Sequence, residues 1–127
     1  MAEKTVAQKL GLKPGQTMLL KQAPADAASL LGKLPAGAEL VTASKKPCAF
    51  ILMFAKDRAA LVKGLAGCKS LLEPKGVLWV AYIKGTSAKK TDINRDSIRE
   101  YAPTVGLDTV AQIAIDDDWS ALRLKIV

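Results

Sequence analysis

A chain of 127 residues, 50% of them apolar and 24% charged, is sized for one globular domain with its own core and is too apolar to be disordered. It has no histidine and a formal charge of +7, which removes the commonest general base and metal ligand and every Ser–His or Cys–His nucleophile pair. No apolar run reaches the roughly 18–20 residues of a membrane span. Met1–Leu12 lacks a signal-peptide core, so a cytoplasmic location is expected.

Thr5-Val6-Ala7-Gln8 has the form of a capping box, predicting a short helix to Leu10 that Gly11 stops. Lys13-Pro14-Gly15 is a turn, and Thr17–Lys21 is a compact apolar strand. Pro24 suits a first helical position and Gly32 a helix stop. Ala38–Thr42 reads as a short second strand, with Lys45-Lys46-Pro47 as punctuation. Cys48–Phe54 is apolar throughout, as expected of a strand covered on both faces of a mainly parallel sheet.

Asp57 is a candidate N-cap for a helix to about Leu72, with Leu61, Leu65, Cys68 and Leu72 forming one stripe. Gly64 and Gly67 weaken it by about 1 kcal/mol each relative to Ala unless close packing needs them. Pro74-Lys75-Gly76 is expected to end it, and Val77–Ile83 to form the next strand. Gly85–Thr91 is a polar loop. Asp92 can cap a helix whose inner face would be Ile98, Tyr101, Ala102 and Val105, with Pro103 ending or kinking it. Asp108–Ile115, a turn at Asp116-Asp117-Asp118 and Trp119–Ile126 read as an antiparallel hairpin.

One step is awkward. Ala43–Pro47 is short for a parallel crossover, which normally takes a dozen or more residues. Either the second strand runs antiparallel, or the chain passes under the sheet nearly straight.

Three groups invite a sharper reading. Cys48 and Cys68 sit in apolar patterns and read as buried thiols rather than a disulfide or metal pair. The three aspartates match no full calcium loop and read as a hairpin turn. Trp119 and Arg123 share a strand face, so Trp119 either stacks on Arg123 or packs as core, as Trp79 does.

The charge is uneven. Residues 1–91 hold 15 basic and 5 acidic side chains, residues 92–127 hold 4 and 7. Most of the lysines read as solvated surface, but such a balance also attracts anions.

KPGQTMLL at 13–20, LLEPKG at 71–76 followed by Val77-Leu78-Trp79-Val80, and a helix leading into a final hairpin resemble the layout of a class I methyltransferase. GVLWVAYIKG at 76–85, TDINRD at 91–96 and DDWSALRLK at 117–125 resemble more closely a bacterial family known as domain of unknown function 3052. Ile83 stands where that resemblance implies proline. It implies one truncated domain over residues 1–127: a three-layer αβα, Rossmann-like α/β fold of methyltransferase type, mainly parallel, with a C-terminal antiparallel hairpin.

The methyltransferase resemblance also implies a Gly-rich turn after the first strand and a carboxylate ending the second, to hold S-adenosylmethionine. Here the first strand is followed by Gln22-Ala23-Pro24 and the second ends Val41-Thr42-Ala43, while Glu39 lies at its start. No cofactor is therefore expected.

Ligands of open α/β sheets bind outside the carboxyl ends of the strands. Those ends here carry Lys21 and Gln22, then Lys56 and Arg58, then Lys84, Lys89 and Lys90, with Asp92 in the same loop. Arg95 opens the next helix, where backbone N–H groups also favour anions. The expectation is a non-catalytic domain binding a nucleotide or phosphate at this rim; loops that are simply polar are the plain alternative.

A protein–protein module, a nucleic-acid binder and an S-adenosylmethionine-dependent methyltransferase are the other readings. Nucleic acid is disfavoured because the six aromatics fall mostly in apolar runs. For catalysis only Tyr82, Lys84 and Asp92 combine near the crevice.

Overall fold

The computed structural model describes residues 9–22, 31–32, 34, 36–42, 47–55, 57–83, 95–115 and 119–126, with backbone alone at 66, 74, 75 and 114. Among the described residues six strands form one sheet: β1 Thr17–Lys21, β2 Glu39–Val41, β3 Cys48–Ala55, β4 Leu72–Ile83, β5 Leu107–Ala114 and β6 Trp119–Ile126, in the order β2-β1-β3-β4-β6-β5. The first four run parallel, and β6 is antiparallel to both β4 and β5. Two helices are described, α1 Arg58–Leu71 and α2 Arg95–Tyr101, the second continuing into a 3-10 turn at Ala102–Val105. Neither is long and apolar enough to cross a membrane.

The second strand is parallel to β1, so the antiparallel alternative does not hold; residues 43–46 of the crossover lie outside the described residues. Val41 stands level with Leu19 and so with Ile51, three residues above Cys48. Returning to Cys48 takes two strand spacings sideways, about 10 Å, and three residues down, about 10 Å. That diagonal is about 14 Å, whereas the peptide steps from Val41 to Cys48 reach about 23–25 Å. No helix is needed to close the distance.

α1 forms where its caps and stripe allow. Asp57 is extended at φ −154° and ψ 177°, and its Oδ1 accepts from Ala60 N–H at 2.8 Å. Leu61, Leu65 and Cys68 are fully buried against Leu19, Ile51, Met53, Leu78 and Val80, each leucine contributing about 1.5–3 kcal/mol. Ile98 and Ala102 close the same face, with Tyr101 and Val105 packed beside them.

Pro103 falls inside the 3-10 turn, which Gly106 ends at φ +79°. The opposite face packs Met18, Leu20, Phe50, Leu52, Phe54, Trp79 and Ala81 under Leu10, Leu12 and Leu31. Trp79 Nε1 donates to Leu10 O at 2.8 Å, pinning the segment that Gly11 turns at φ +98°. Helical or loop cover on both faces explains why β3 and residues 77–83 of β4 are apolar throughout.

One boundary differs from expectation. Pro74-Lys75-Gly76 does not separate helix from strand, because β4 starts at Leu72, directly after α1. The segment is an irregularity within the strand: Cys48 pairs with Leu72, then Phe50 with Val77. A Cβ at Gly76 would lie 3.1 Å from Cys48 O and 2.7 Å from Leu72 Cδ1, so only glycine fits the close approach. The first helix before Lys9, the body of the Pro24 helix, Asp92 and the three aspartates lie outside the described residues.

Candidate functional site

The strand order reverses between β1 and β3: the chain goes outward to β2, then returns to the far side of β1. In an open α/β sheet the ligand crevice lies at this switch point, outside the carboxyl ends. β1 delivers Lys21 and Gln22 there, and β3 leads directly into the N-terminus of α1.

Gln22 crosses the crevice. Its backbone is left-handed at φ +56°, which costs a non-glycine residue about 1–2 kcal/mol. Its Nε2 donates to Ala60 O in the first turn of α1 at 3.1 Å. The amide lies over Gly64, whose missing side chain makes the room. The close packing that would justify a helical glycine is thus present at Gly64 and absent at Gly67, where an added Cβ meets nothing within 4 Å.

The rim cations fall into two groups. Lys21, half-buried, sits on the α1 face, and its ammonium pulls against burial, which pushes the Cys68 thiol up to about 11. Arg58 is exposed at the start of α1. Arg95 lies on the other side: its Nη1 donates to Gln112 Oε1 on β5 at 3.3 Å, and its Nε lies 3.9 Å from Asp96 Oδ1. β1 and β5 are four strand spacings apart, about 19 Å, so Lys21 and Arg95 do not converge on one small ion. Lys56, Lys84, Lys89, Lys90 and Asp92 lie outside the described residues. α2 has only 7 residues, too short for its N-terminus to add much field of its own.

Sequence reasoning named Tyr82 and Arg95 but missed Gln112 and Ser120, which join them in one polar cluster. Tyr82, near the carboxyl end of β4, is 3% exposed, and Ser120, its partner on β6, is equally buried. Gln112 Nε2 donates to Tyr82 OH at 3.1 Å and to Ser120 Oγ at 3.4 Å, and Ser120 Oγ donates to Ile113 O at 2.7 Å. A signal existed: a hairpin centred on Asp117 puts Gln112 opposite Leu122, which the observed register confirms.

The remaining groups resolve simply. No disulfide joins Cys48 and Cys68; the second is buried, the first half-buried. Among the described residues no three potential metal ligands gather. Trp119 meets Phe54 edge-on, with centroids 5.3 Å apart at 82°, while Arg123 is exposed. An open depression of about 460 Å³ between α2 and β5 is lined by Asp96, Arg99, Glu100, Asp108 and Thr109.

A family model, "Protein of unknown function (DUF3052)", matches residues 7–126. The chain belongs to the DUF3052 family. No curated protein matches it in sequence.

Among solved structures, the DUF3052 chain is similar to the glycopeptide N-methyltransferase MtfA complexed with sinefungin, with a TM-score of 0.61 at 13% identity over 99% of this chain and 95% of that one. The DhpI–SAH complex gives 0.64 at 8% identity over 95% and 82%. A SAM-dependent methyltransferase from Aquifex aeolicus gives 0.63 at 14% identity over 96% and 88%. The fold is therefore methyltransferase-like and Rossmann-like.

The described residues do not fit the cofactor which that layout implies. β1 is followed by Gln22, whose side chain bridges to α1 where the backbone would have to approach the ligand. β2 ends at Val41 and Thr42 with no carboxylate. Glu39 lies at the opposite end of that strand, about 7 Å away.

Proposed function

We propose that this DUF3052 domain binds an anionic small molecule along the carboxyl edge of its parallel strands and transfers no methyl group. Charge at that edge carries the reading. Lys21, Arg58 and Arg95 stand there, and the connecting segments add Lys56, Lys84, Lys89 and Lys90. Asp92 and Asp96 offset part of this, while Asp57 is engaged in capping α1. A cleft mouth lined by one sign of charge concentrates ions of the other. The 19 Å spread favours a ligand with anionic groups at more than one point, such as a nucleotide, over a lone ion.

The test is a thermal-shift panel at low salt with ATP, AMP, inorganic phosphate and S-adenosylhomocysteine. A ligand at 100 times its Kd adds about 2.7 kcal/mol, which for a domain of this size raises Tm by roughly 8–12 °C. A shift with ATP or AMP that is lost in Lys21→Ala/Arg95→Ala supports the reading. A shift with S-adenosylhomocysteine alone overturns it in favour of a methyltransferase. No shift with any anion overturns it as well.

A further inference from the structure

The hydrogen-bond accounting around Gln112 leaves one buried donor unassigned. Arginine can only donate, so the Gln112 carboxamide must turn its oxygen to Arg95. That fixes Nε2 toward Tyr82 and Ser120, and both hydroxyl oxygens must then accept. Ser120 completes its pattern by donating to Ile113 O. Tyr82 has one proton, and no described group accepts it. Its ring is 3% exposed, in the core cluster that also contains Ile98, Leu122 and Val80, so the hydroxyl is a preorganised donor near the carboxyl end of β4. Arg95, on the other atom of the same carboxamide, has its second terminal nitrogen without a described partner.

We propose that the Tyr82 hydroxyl and the Arg95 guanidinium, oriented by Gln112, form an oxyanion-binding subsite that takes a carboxylate or phosphoryl group of the ligand. This rests on the anion-binding reading and gives it a place. Gln112 is a positioning residue: its oxygen holds the cation, and its nitrogen makes the tyrosine accept from the protein and donate outward. Tyr82 stands two strand spacings from β1, about 10 Å, and Arg95 contacts β5, four spacings or about 19 Å away, so the subsite engages a different end of an extended ligand from Lys21. Hydrogen bonds to charged groups are the stronger class, and the site sets a buried neutral donor and a partly exposed cation on the two ends of one carboxamide.

The experiment uses the intact chain labelled with 13Cζ-tyrosine. Only two tyrosines exist, Tyr82 and Tyr101, so Tyr82→Phe assigns the spectrum. Inorganic phosphate and succinate are titrated separately, and the source of the oxyanion is read from whichever acts. Either should shift the Tyr82 signal and leave that of Tyr101 in place. In parallel, Tyr82→Phe should weaken ATP binding about 10- to 100-fold, and Gln112→Leu should do the same with Tyr82 and Arg95 both present. Binding of ATP by the parent with no movement of the Tyr82 signal by either probe, and with Tyr82→Phe unchanged, overturns this inference and leaves the anion-binding reading standing. Failure of the parent to bind any anion overturns both.

Discussion

Substituting alanine at the two glycines of α1 should have opposite effects. In an exposed helix interior, glycine to alanine stabilises by about 1 kcal/mol. Gly67 is exposed, with nothing within 4 Å of an added Cβ, so Gly67→Ala should show the whole gain. At Gly64 the same methyl collides with Gln22 Nε2 and lies 2.9 Å from Met53 Sδ. Gln22 is at the surface and can swing away, but its bond to Ala60 O goes with it, a loss of about 0.5–1.5 kcal/mol. Met53 is fully buried, so moving its sulfur within a packed core costs about 1–3 kcal/mol.

Set against the helix gain, Gly64→Ala should lose about 0.5–3.5 kcal/mol net. Urea unfolding monitored by tryptophan fluorescence measures both variants, with the two midpoints expected on opposite sides of the parent. A cycle with Gln22→Ala isolates the contact. Alone, that change removes the bond to Ala60; on the Gly64→Ala background the bond is already gone, so the coupling should be about 1 kcal/mol. A Gly64→Ala protein as stable as the parent, or strict additivity in the cycle, would refute the close packing of β1 on α1.

Two further outcomes follow from the core. Burial pushes the Cys68 thiol from 9.0 to about 11, so between pH 9 and 11 the unfolded state gives up a proton that the folded state keeps. Stability should then fall with rising pH across that window by of order 2 kcal/mol; Cys68→Ala should flatten this part of the profile in pH-dependent urea titrations, and an unchanged slope would refute it. Trp79→Phe leaves Leu10 O without its donor inside the core, and should cost about 2–4 kcal/mol in the same assay; a loss under 1 kcal/mol would mean that Leu10 is not anchored there.

Where local chemistry decides, the sequence was readable. Thr17–Lys21 was bounded by its turn and apolar run, Asp57 by its capping role, and Ile98 and Ala102 by helical spacing, and each stands where expected. The direction of Glu39–Val41 was not readable, because a strand of 3 residues carries too little pattern to fix its neighbour. Pro74-Lys75-Gly76 misled because Pro and Gly mark turns in general, whereas here they accommodate an irregular start to β4 against Cys48. At the site, the basic residues were visible as types but not as positions. Their division into two groups follows from strand order, and the Gln22–Ala60 and Arg95–Gln112 contacts join residues 38 and 17 apart. Separations of that size are set by the sheet and leave no local trace.

The strand latest in sequence is not at the margin of the sheet. β6 is inserted between β4 and β5, and its pairs with β4 join residues 36 to 46 positions apart, from Ile83–Trp119 to Leu78–Leu124. Until residues 119–126 have been synthesised and docked, β4 presents a free flank of unpaired amides beside Leu78, Val80 and Tyr82. Such a flank recruits strands from other chains. A ribosome stalled before Trp119, or a protease cutting ahead of it, therefore leaves an adhesive fragment rather than a smaller working domain. Quality control in the cell would meet this domain as an all-or-nothing product, with residues 119–126 docked between β4 and β5 or fit only for degradation.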